Sequence, residues 1–333
     1  MSALDKKKLL TSYDDQKRRK GLLREYISIA RLDHITKQIF VVPGIILAYL
    51  LRGDHSGQFI LNCILGFIAA IAIASANYVI NEYLDRDFDK HHPVKSQRSA
   101  VQYDLNGKII LCEWMFLVII GFIAALLSSV TMLVIAVIFA AQGIVYNVPP
   151  LRTKDKAYLD VISESINNPL RLMIGWAIVD PMTLPPASII LAYWLGGAFL
   201  MAAKRYSEYL EIVNTHGKNL LVQYRTSFAG YTEASLNASC FFYAMLSSFF
   251  IAVFFVKYRI EYILVMPPLI ALFTYYLVIS FRPGSAAQNP ENLFHDTKMV
   301  VLVSILGIIF LFCTYVNIPQ VSIFSDQHFI EFK

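Results

Sequence analysis

Apolar residues run in long blocks through this chain, at 36–52, 58–80, 109–128, 130–147, 160–180, 187–206, 234–256, 262–281 and 298–316. A helix needs roughly 20 apolar residues to cross about 30 Å of hydrocarbon, and a soluble core does not need runs of that length. The pattern therefore predicts an all-α, polytopic membrane protein with about nine transmembrane helices. The polar stretches between blocks differ in kind. The arm before residue 36 and the loops at 81–108, 148–158, 204–230 and 282–298 are basic, while "SSV" near 128–130 and "DPMTLPPA" at 180–187 are short and nearly uncharged. Positive loops stay cytoplasmic, which puts the N-terminus inside and the C-terminus outside, with Lys257 and Arg259 the exception on the far side. The expected division is a basic interfacial segment at 1–35, with helical apolar spacing from Leu22, a membrane domain at 36–318 and an outer tail at 319–333.

Composition agrees with a bilayer protein. Of 333 residues, 56% are hydrophobic and 16% charged, against about 25% charged in soluble domains, and the mean hydropathy is +0.53. The net charge of +5 follows from a basic cytoplasmic face beside anionic lipid, so nucleic acid is not an expected partner. Cys63, Cys112, Cys240 and Cys313 sit in or beside the apolar blocks without metal-ligand spacing and read as small apolar residues.

One apolar block ends in the stretch "NEYLDRDFDKHHPVK", residues 81–95. On a helix, Asn81, Asp85 and Asp89 lie within about 80° of one another. Two carboxylates and an amide oxygen suit Mg²⁺, which shares its shell with water and substrate phosphates. Lys95 and Arg98 follow closely and would hold such a phosphate from the other side. Asp87 falls off this face and is expected to be solvated. A solvated helix end is the plain alternative for the whole cluster.

Four further patches could join it. "YNVPPLRTKDKAYLDVISESINNPLR" carries Tyr146, Arg152, Lys154 and Asp160, with Arg171 inside the next block. An ionisable group within a span is functional by default, and an ion pair with Asp160 or Glu164 is the structural alternative. "AAKRYSEYLEI" brings Lys204, Arg205, Tyr206 and Glu208 to the end of the sixth block, where snorkelling would also explain the two cations. In "SAAQNPENLFHDTK", Glu291 and Asp296 read as loop residues or caps. Lys37, in "RLDHITKQIF", reads as a phosphate ligand or an interface anchor.

These stretches resemble a known family. "NEYLDRDFD" resembles the NDxxDxxxD motif of the UbiA superfamily of intramembrane prenyltransferases, with Asn81, Asp85 and Asp89 in place and Glu82 where the family has aspartate. "YNVPPLRTK" is similar to its YSxPPxRxK stretch. Within the superfamily, His92-Pro93 with Lys95, Asp160 followed by Arg171, "KRYSE", "PENLFHD" and "RLDHITKQ" resemble the branch that acts on decaprenyl phosphate as a phosphoribosyltransferase. That likeness implies a UbiA-like bundle with cytoplasmic catalytic loops in a bacterial inner (plasma) membrane. It implies Mg²⁺-dependent transfer of 5-phosphoribose from PRPP to a polyprenyl phosphate, with loss of pyrophosphate, feeding arabinan-type envelope glycans.

On that reading, Asn81, Asp85 and Asp89 are catalytic and hold the metal. Lys95 and Arg98 take donor phosphates, and Lys154, Arg171, Lys204 and Arg205 take donor or lipid phosphate. Lys37 serves the lipid phosphate, and Glu82, Tyr146, Asp160 and Tyr206 line the substrates. Ordinary members of the superfamily carry a second acidic motif, DxxxD, for a second Mg²⁺, and "KRYSE" stands in its place. The lipid bilayer is the other partner, and a homo-oligomer is compatible with the chain. Two readings compete: a prenyltransferase acting on an aromatic or other small acceptor, which predicts a second acidic pair near 200–210, and a transporter, which predicts ionisable residues near the bilayer midplane.

Overall fold

A computed structural model describes residues 19–20, 23–53, 57–282 and 296–324. Most of the 1–22 arm, the "PENLFH" part of the 282–298 loop and the tail after 324 lie outside the described residues.

The apolar blocks become helices whose ends are set by local polar chemistry. The first span comprises α1 (Leu23–Ile29), a 3-10 segment (Leu32–Val41) and α2 (Val42–Arg52). Pro43 opens α2, where its missing N–H costs nothing, and Gly53 closes it at φ 67°. Then come α3 (Phe59–Asp89), α4 (Gly107–Ser128) and α5 (Val130–Asn147). The Asn106 and Ser129 side chains cap α4 and α5 by accepting from Lys108 N and Met132 N, which satisfies otherwise orphaned amide donors. After α8 (Ala187–His216) and the short α9 (Lys218–Tyr224), α10 (Glu233–Tyr258) begins in a Thr232/Ser235 capping box. The chain ends in α11 (Met266–Ser280) and α12 (Thr297–Tyr315).

Among the described residues, eight helices are long and apolar enough to cross a membrane. The ninth expected span, 160–180, is broken at Ile166 into α6 (Leu159–Ser165) and α7 (Asn167–Val179). Pro169 is the cause, because it has no N–H to give the Ser165 carbonyl and cannot continue a helix through that turn. α7 is buried along its length by its neighbours. A Cβ on Gly44 would lie 2.0 Å from Leu172 O, and one on Gly175 would lie 2.0 Å from Val41 O, so α2 and α7 touch backbone to backbone, as small residues permit in membranes.

Two large apolar cores and two smaller ones result. Of the large ones, one joins α2, α3, α4, α5 and α7 around Ile73, Met132, Phe139 and Ile178, and the other joins α8, α10 and α11 around Phe199, Leu236 and Tyr276. Outward-facing Ile60, Phe116, Leu127, Phe241 and Met245 are exposed, as hydrocarbon-facing side chains are.

α3 positions the site. Its 31 residues rise about 46 Å, so its last turns project beyond a 30 Å hydrocarbon layer. The loop that follows folds back through turns at Lys95–Gln97 and Ser99–Gln102, and Tyr103–Asp104 pairs in parallel with Arg19–Lys20. α1 clamps this loop: Ser99 Oγ donates to Glu25 at 2.9 Å, and Asn106 N donates to the Tyr26 hydroxyl at 2.8 Å.

Candidate active site

The expected helical face forms at the end of α3, and every member is already engaged. Asn81 Nδ2 donates to Asn147 Oδ1 at 2.6 Å, which leaves the Asn81 amide oxygen as the acceptor. Asp85 is held by Lys154 Nζ at 2.6 Å and Arg152 Nη2 at 2.8 Å. Asp89 accepts from Arg98 at 2.6 Å. Arg152 also bonds Asp155 and the Asn147 carbonyl, and its backbone is left-handed at φ 31°. A non-glycine residue in that region is held by its surroundings and marks functional loops. Asp87 is 63% exposed, as its position off the face requires.

A second cluster faces the first. Arg205, on α8, donates to Asp160 at 3.2 Å and Glu164 at 2.9 Å, and lies 3.6 Å from Glu208. Arg225, just after α9, donates to the Tyr146 hydroxyl at 2.9 Å and sits 3.6 Å from Asp160. Asp160 has no exposure and also accepts from Tyr231 at 2.7 Å and Ser227 at 3.1 Å. Lys95 and His92 reach Glu208 at 3.7 and 3.6 Å, tying the acid loop after α3 to α8. Lys204 lies among Glu164, Arg205, Lys37 and Glu208.

Three expected residues sit elsewhere. Tyr206 turns into the second core, its ring on Phe281 at 5.2 Å and its hydroxyl 3.4 Å from Glu233; it points away from the site that Arg205 enters. Glu82 is buried one position off the metal face, 3.7 Å from Arg31. Arg171 forms neither expected ion pair and donates instead to Gln38 and the Asn167 carbonyl. Sequence reasoning missed Arg225, Ser227, Tyr231, Arg31 and His34. The only signal for the first three was the basic character of the 204–230 loop.

Residues 40–302 match the UbiA prenyltransferase family. The chain belongs to that family. Among curated proteins it is 29% identical to the protoheme IX farnesyltransferase of Geobacillus kaustophilus over 196 residues, 57% of this chain and 62% of that one. It is 31% identical to the lycopene elongase/hydratase of Haloarcula japonica over 121 residues, 35% of this chain and 39% of that one. The chain thus spans about three fifths or less of these relatives. Among solved structures, the UbiA homolog from Archaeoglobus fulgidus bound to GPP and Mg²⁺ superposes with a TM-score of 0.62 over 87% of this chain and 96% of that one, at 19% identity. A digeranylgeranylglyceryl phosphate synthase superposes at a TM-score of 0.57 over 88% and 95%, at 16% identity. These likenesses fix the fold as that of UbiA homologs.

In this UbiA family member, no three His, Cys, Asp or Glu side chains among the described residues converge as a metal cage. The donor set nevertheless fits Mg²⁺, which needs only one or two carboxylates when substrate phosphates and water complete its shell. Asp85, Asp89 and the Asn81 oxygen supply that much.

Burial pushes Lys95 down to about 8 against the pull of Glu208 and Asp89. Burial likewise pushes Lys154 down to about 8, with Asp85 opposing it. An anion bound at Lys95 favours its charged form, so anion affinity is level below pH 8 and falls above it, by up to about tenfold per pH unit. Titrating inorganic pyrophosphate into the protein from pH 7 to pH 9.5 is expected to show that decline. A Lys95→Arg variant, which stays charged, is expected to show a shallower decline across the same range, the remainder coming from Lys154.

Proposed function

We propose that this family member moves 5-phosphoribose from PRPP to a polyprenyl phosphate and releases pyrophosphate, in a Mg²⁺-dependent reaction at the cytoplasmic face of a bacterial inner membrane. The observation that carries the reading is the cationic second half of the site. Where a second acidic pair would hold a second metal, α8 presents Lys204 and Arg205, joined by Arg225, and the nearby acids Asp160 and Glu164 are spent on the two arginines. Cations so arranged suit two phosphate-bearing substrates better than one diphosphate and a neutral acceptor.

Asn81, Asp85 and Asp89 would hold Mg²⁺, which when bound offsets the charge on the leaving pyrophosphate. Lys95, Arg98, Arg152 and Lys154 surround that position and bind the donor's phosphates, exchanging the carboxylates they now hold for phosphate oxygens. The ribose C1–O bond breaks toward the pyrophosphate, and an oxygen of the lipid phosphate forms the new bond to C1 from the opposite face. A phosphate monoester is largely dianionic near neutrality, with its second pKa at about 6, so it attacks without a base from the chain. Lys204 and Arg205 orient it.

A second reading is supported by what the relatives are named for, farnesyl transfer and lycopene elongation: transfer of a prenyl group from a prenyl diphosphate to an aromatic or other small acceptor. A transporter has the break at Ile166 in its favour, but its ionisable residues would gather at midplane, and here the two acidic clusters around Asp85 and Asp160 gather at one end of the bundle. The deciding experiment incubates purified protein with Mg²⁺, polyprenyl phosphate and labelled PRPP. Label entering the organic phase is expected. No transfer, together with transfer from a prenyl diphosphate to an aromatic acid, overturns the reading.

A further inference from the structure

The carboxylates of the two clusters are gripped closely, with one exception. Asp85, Asp89, Asp155, Asp160 and Glu164 each accept a hydrogen bond of 2.6–2.8 Å. Glu208, on α8, is held off. His92 Nε2 and Lys95 Nζ stand 3.6 and 3.7 Å from its Oε1, and Arg205 Nη1 stands 3.6 Å from its Oε2. A charge-assisted hydrogen bond is about 2.7–2.9 Å long, so all three cations stop short of one. Oε2 is buried without a hydrogen-bond partner. The Tyr224 hydroxyl is near Glu208 yet also makes no hydrogen bond, while its ring packs on His92 at 4.6 Å. Glu208 is only 7% exposed, and a buried carboxylate left without close donors is costly.

The missing partner has to donate to the carboxylate while sitting among cations. A hydroxyl suits both, since it donates one proton and accepts on two lone pairs. An ionised phosphate only accepts and is repelled by Glu208, and an isoprenoid chain offers neither function. Of the groups on the two substrates proposed above, only the sugar's hydroxyls fit.

The position of Glu208 says which hydroxyl. Lys95 belongs to the donor's phosphates and Arg205 to the lipid phosphate. Displacement at C1 puts the leaving pyrophosphate and the entering phosphate on opposite faces of that carbon, so C1 lies between the two groups of cations. Glu208 is within 3.7 Å of a member of each group and so stands beside C1. The hydroxyl nearest to C1 is the one on C2.

We propose that Glu208 determines specificity by accepting a hydrogen bond from the 2-hydroxyl of the phosphoribosyl donor. The assignment rests on the phosphoribosyl reaction proposed above. As Lys95 turns to a donor phosphate, Oε1 is left to the hydroxyl. A donor lacking that hydroxyl leaves the carboxylate buried and unpaired, which is how a polar site rejects an analogue. The same carboxylate disfavours a prenyl diphosphate, whose chain has nothing to donate.

The test measures binding apart from turnover, with the full-length protein in detergent, Mg²⁺ and radiolabelled PRPP, and no lipid acceptor. Ribose 5-phosphate is expected to displace the label at concentrations at least about tenfold lower than 2-deoxyribose 5-phosphate, the worth of one hydrogen bond to a charged group. In Glu208→Gln that preference is expected to shrink to about threefold or less, as for a bond between neutral groups, while affinity for Mg²⁺ with pyrophosphate does not fall. Should Glu208→Gln fail to fold, Glu208→Asp keeps the charge beside Arg205 but withdraws it by one methylene, and the same loss of preference is expected. Equal displacement by the two sugars in the wild type overturns the assignment, as does a preference that survives in the folded variants. A matching fall in affinity for Mg²⁺ with pyrophosphate would make Glu208 a metal ligand and also overturns it. A wild type that binds no PRPP at all overturns the phosphoribosyl reaction itself, which is distinct from PRPP binding that ignores the 2-hydroxyl.

Discussion

Replacing Asp85 by Asn is expected to lower turnover by about a hundred- to a thousandfold, the loss seen when charge stabilisation at a reacting centre is removed. Asp85 is the centre of the acidic face, and both Lys154 and Arg152 converge on it. The substitution removes the carboxylate that would share the metal and also the counter-charge of a buried lysine. Lys154, already pushed down to about 8 by burial, can give up its proton rather than remain charged and unpaired. The stability cost is therefore held to about 1–3 kcal/mol, and the melting temperature in detergent should fall only by several degrees. Pairing Asp85→Asn with Lys154→Met removes both charges and is expected to recover the lost stability without recovering activity. Full activity in Asp85→Asn would exclude this carboxylate from the chemistry.

The other large effect is expected at Asp160, and here stability carries it. Asp160 is fully buried and receives Arg205, Arg225, Tyr231 and Ser227 together. Asn keeps the shape and loses the charge. Unlike Lys154, the two arginines cannot shed a proton, so they stay charged with less to hold them. Breaking a buried pair in this way costs about 3–5 kcal/mol, which lowers the melting temperature by about 10 °C in a protein of this size. Activity should fall with it, because Arg205 and Arg225 lose their common seat. Glu164 and Glu208 remain beside Arg205, so an unchanged melting temperature would mean that those two carboxylates hold the arginines alone.

Much of this was legible in the sequence because it is local. Span lengths follow from apolar run lengths, and the grouping of Asn81, Asp85 and Asp89 follows from four-residue spacing on one helix. What was not legible depends on which loop meets which. Arg225 and Tyr231 find Asp160 across 65 and 71 residues of sequence, and nothing local marks them. Tyr206 neighbours Arg205 in sequence, yet adjacent residues on a helix point about 100° apart, enough to send one into the site and the other into the core. The 3-10 winding of Leu32–Val41 was hidden for a different reason: its apolar pattern fits an α-helix equally well. The break at Ile166 was foreshadowed by Pro169, but the continuous apolar run around it masked the signal.

That break bears on how the protein is made. Thirteen residues of α7 reach only about 20 Å, and Leu170 through Val179 are almost wholly enclosed by other helices, Arg171 among them. Hydrocarbon is not the solvent of this segment; protein is. Partitioning from the translocon into lipid rewards apolar side chains and penalises an arginine near the middle by about 2.5–3.5 kcal/mol. α7 cannot be placed by that rule alone. It takes its position once the spans that enclose it have assembled, so during biogenesis α7 is among the last segments to find its surroundings.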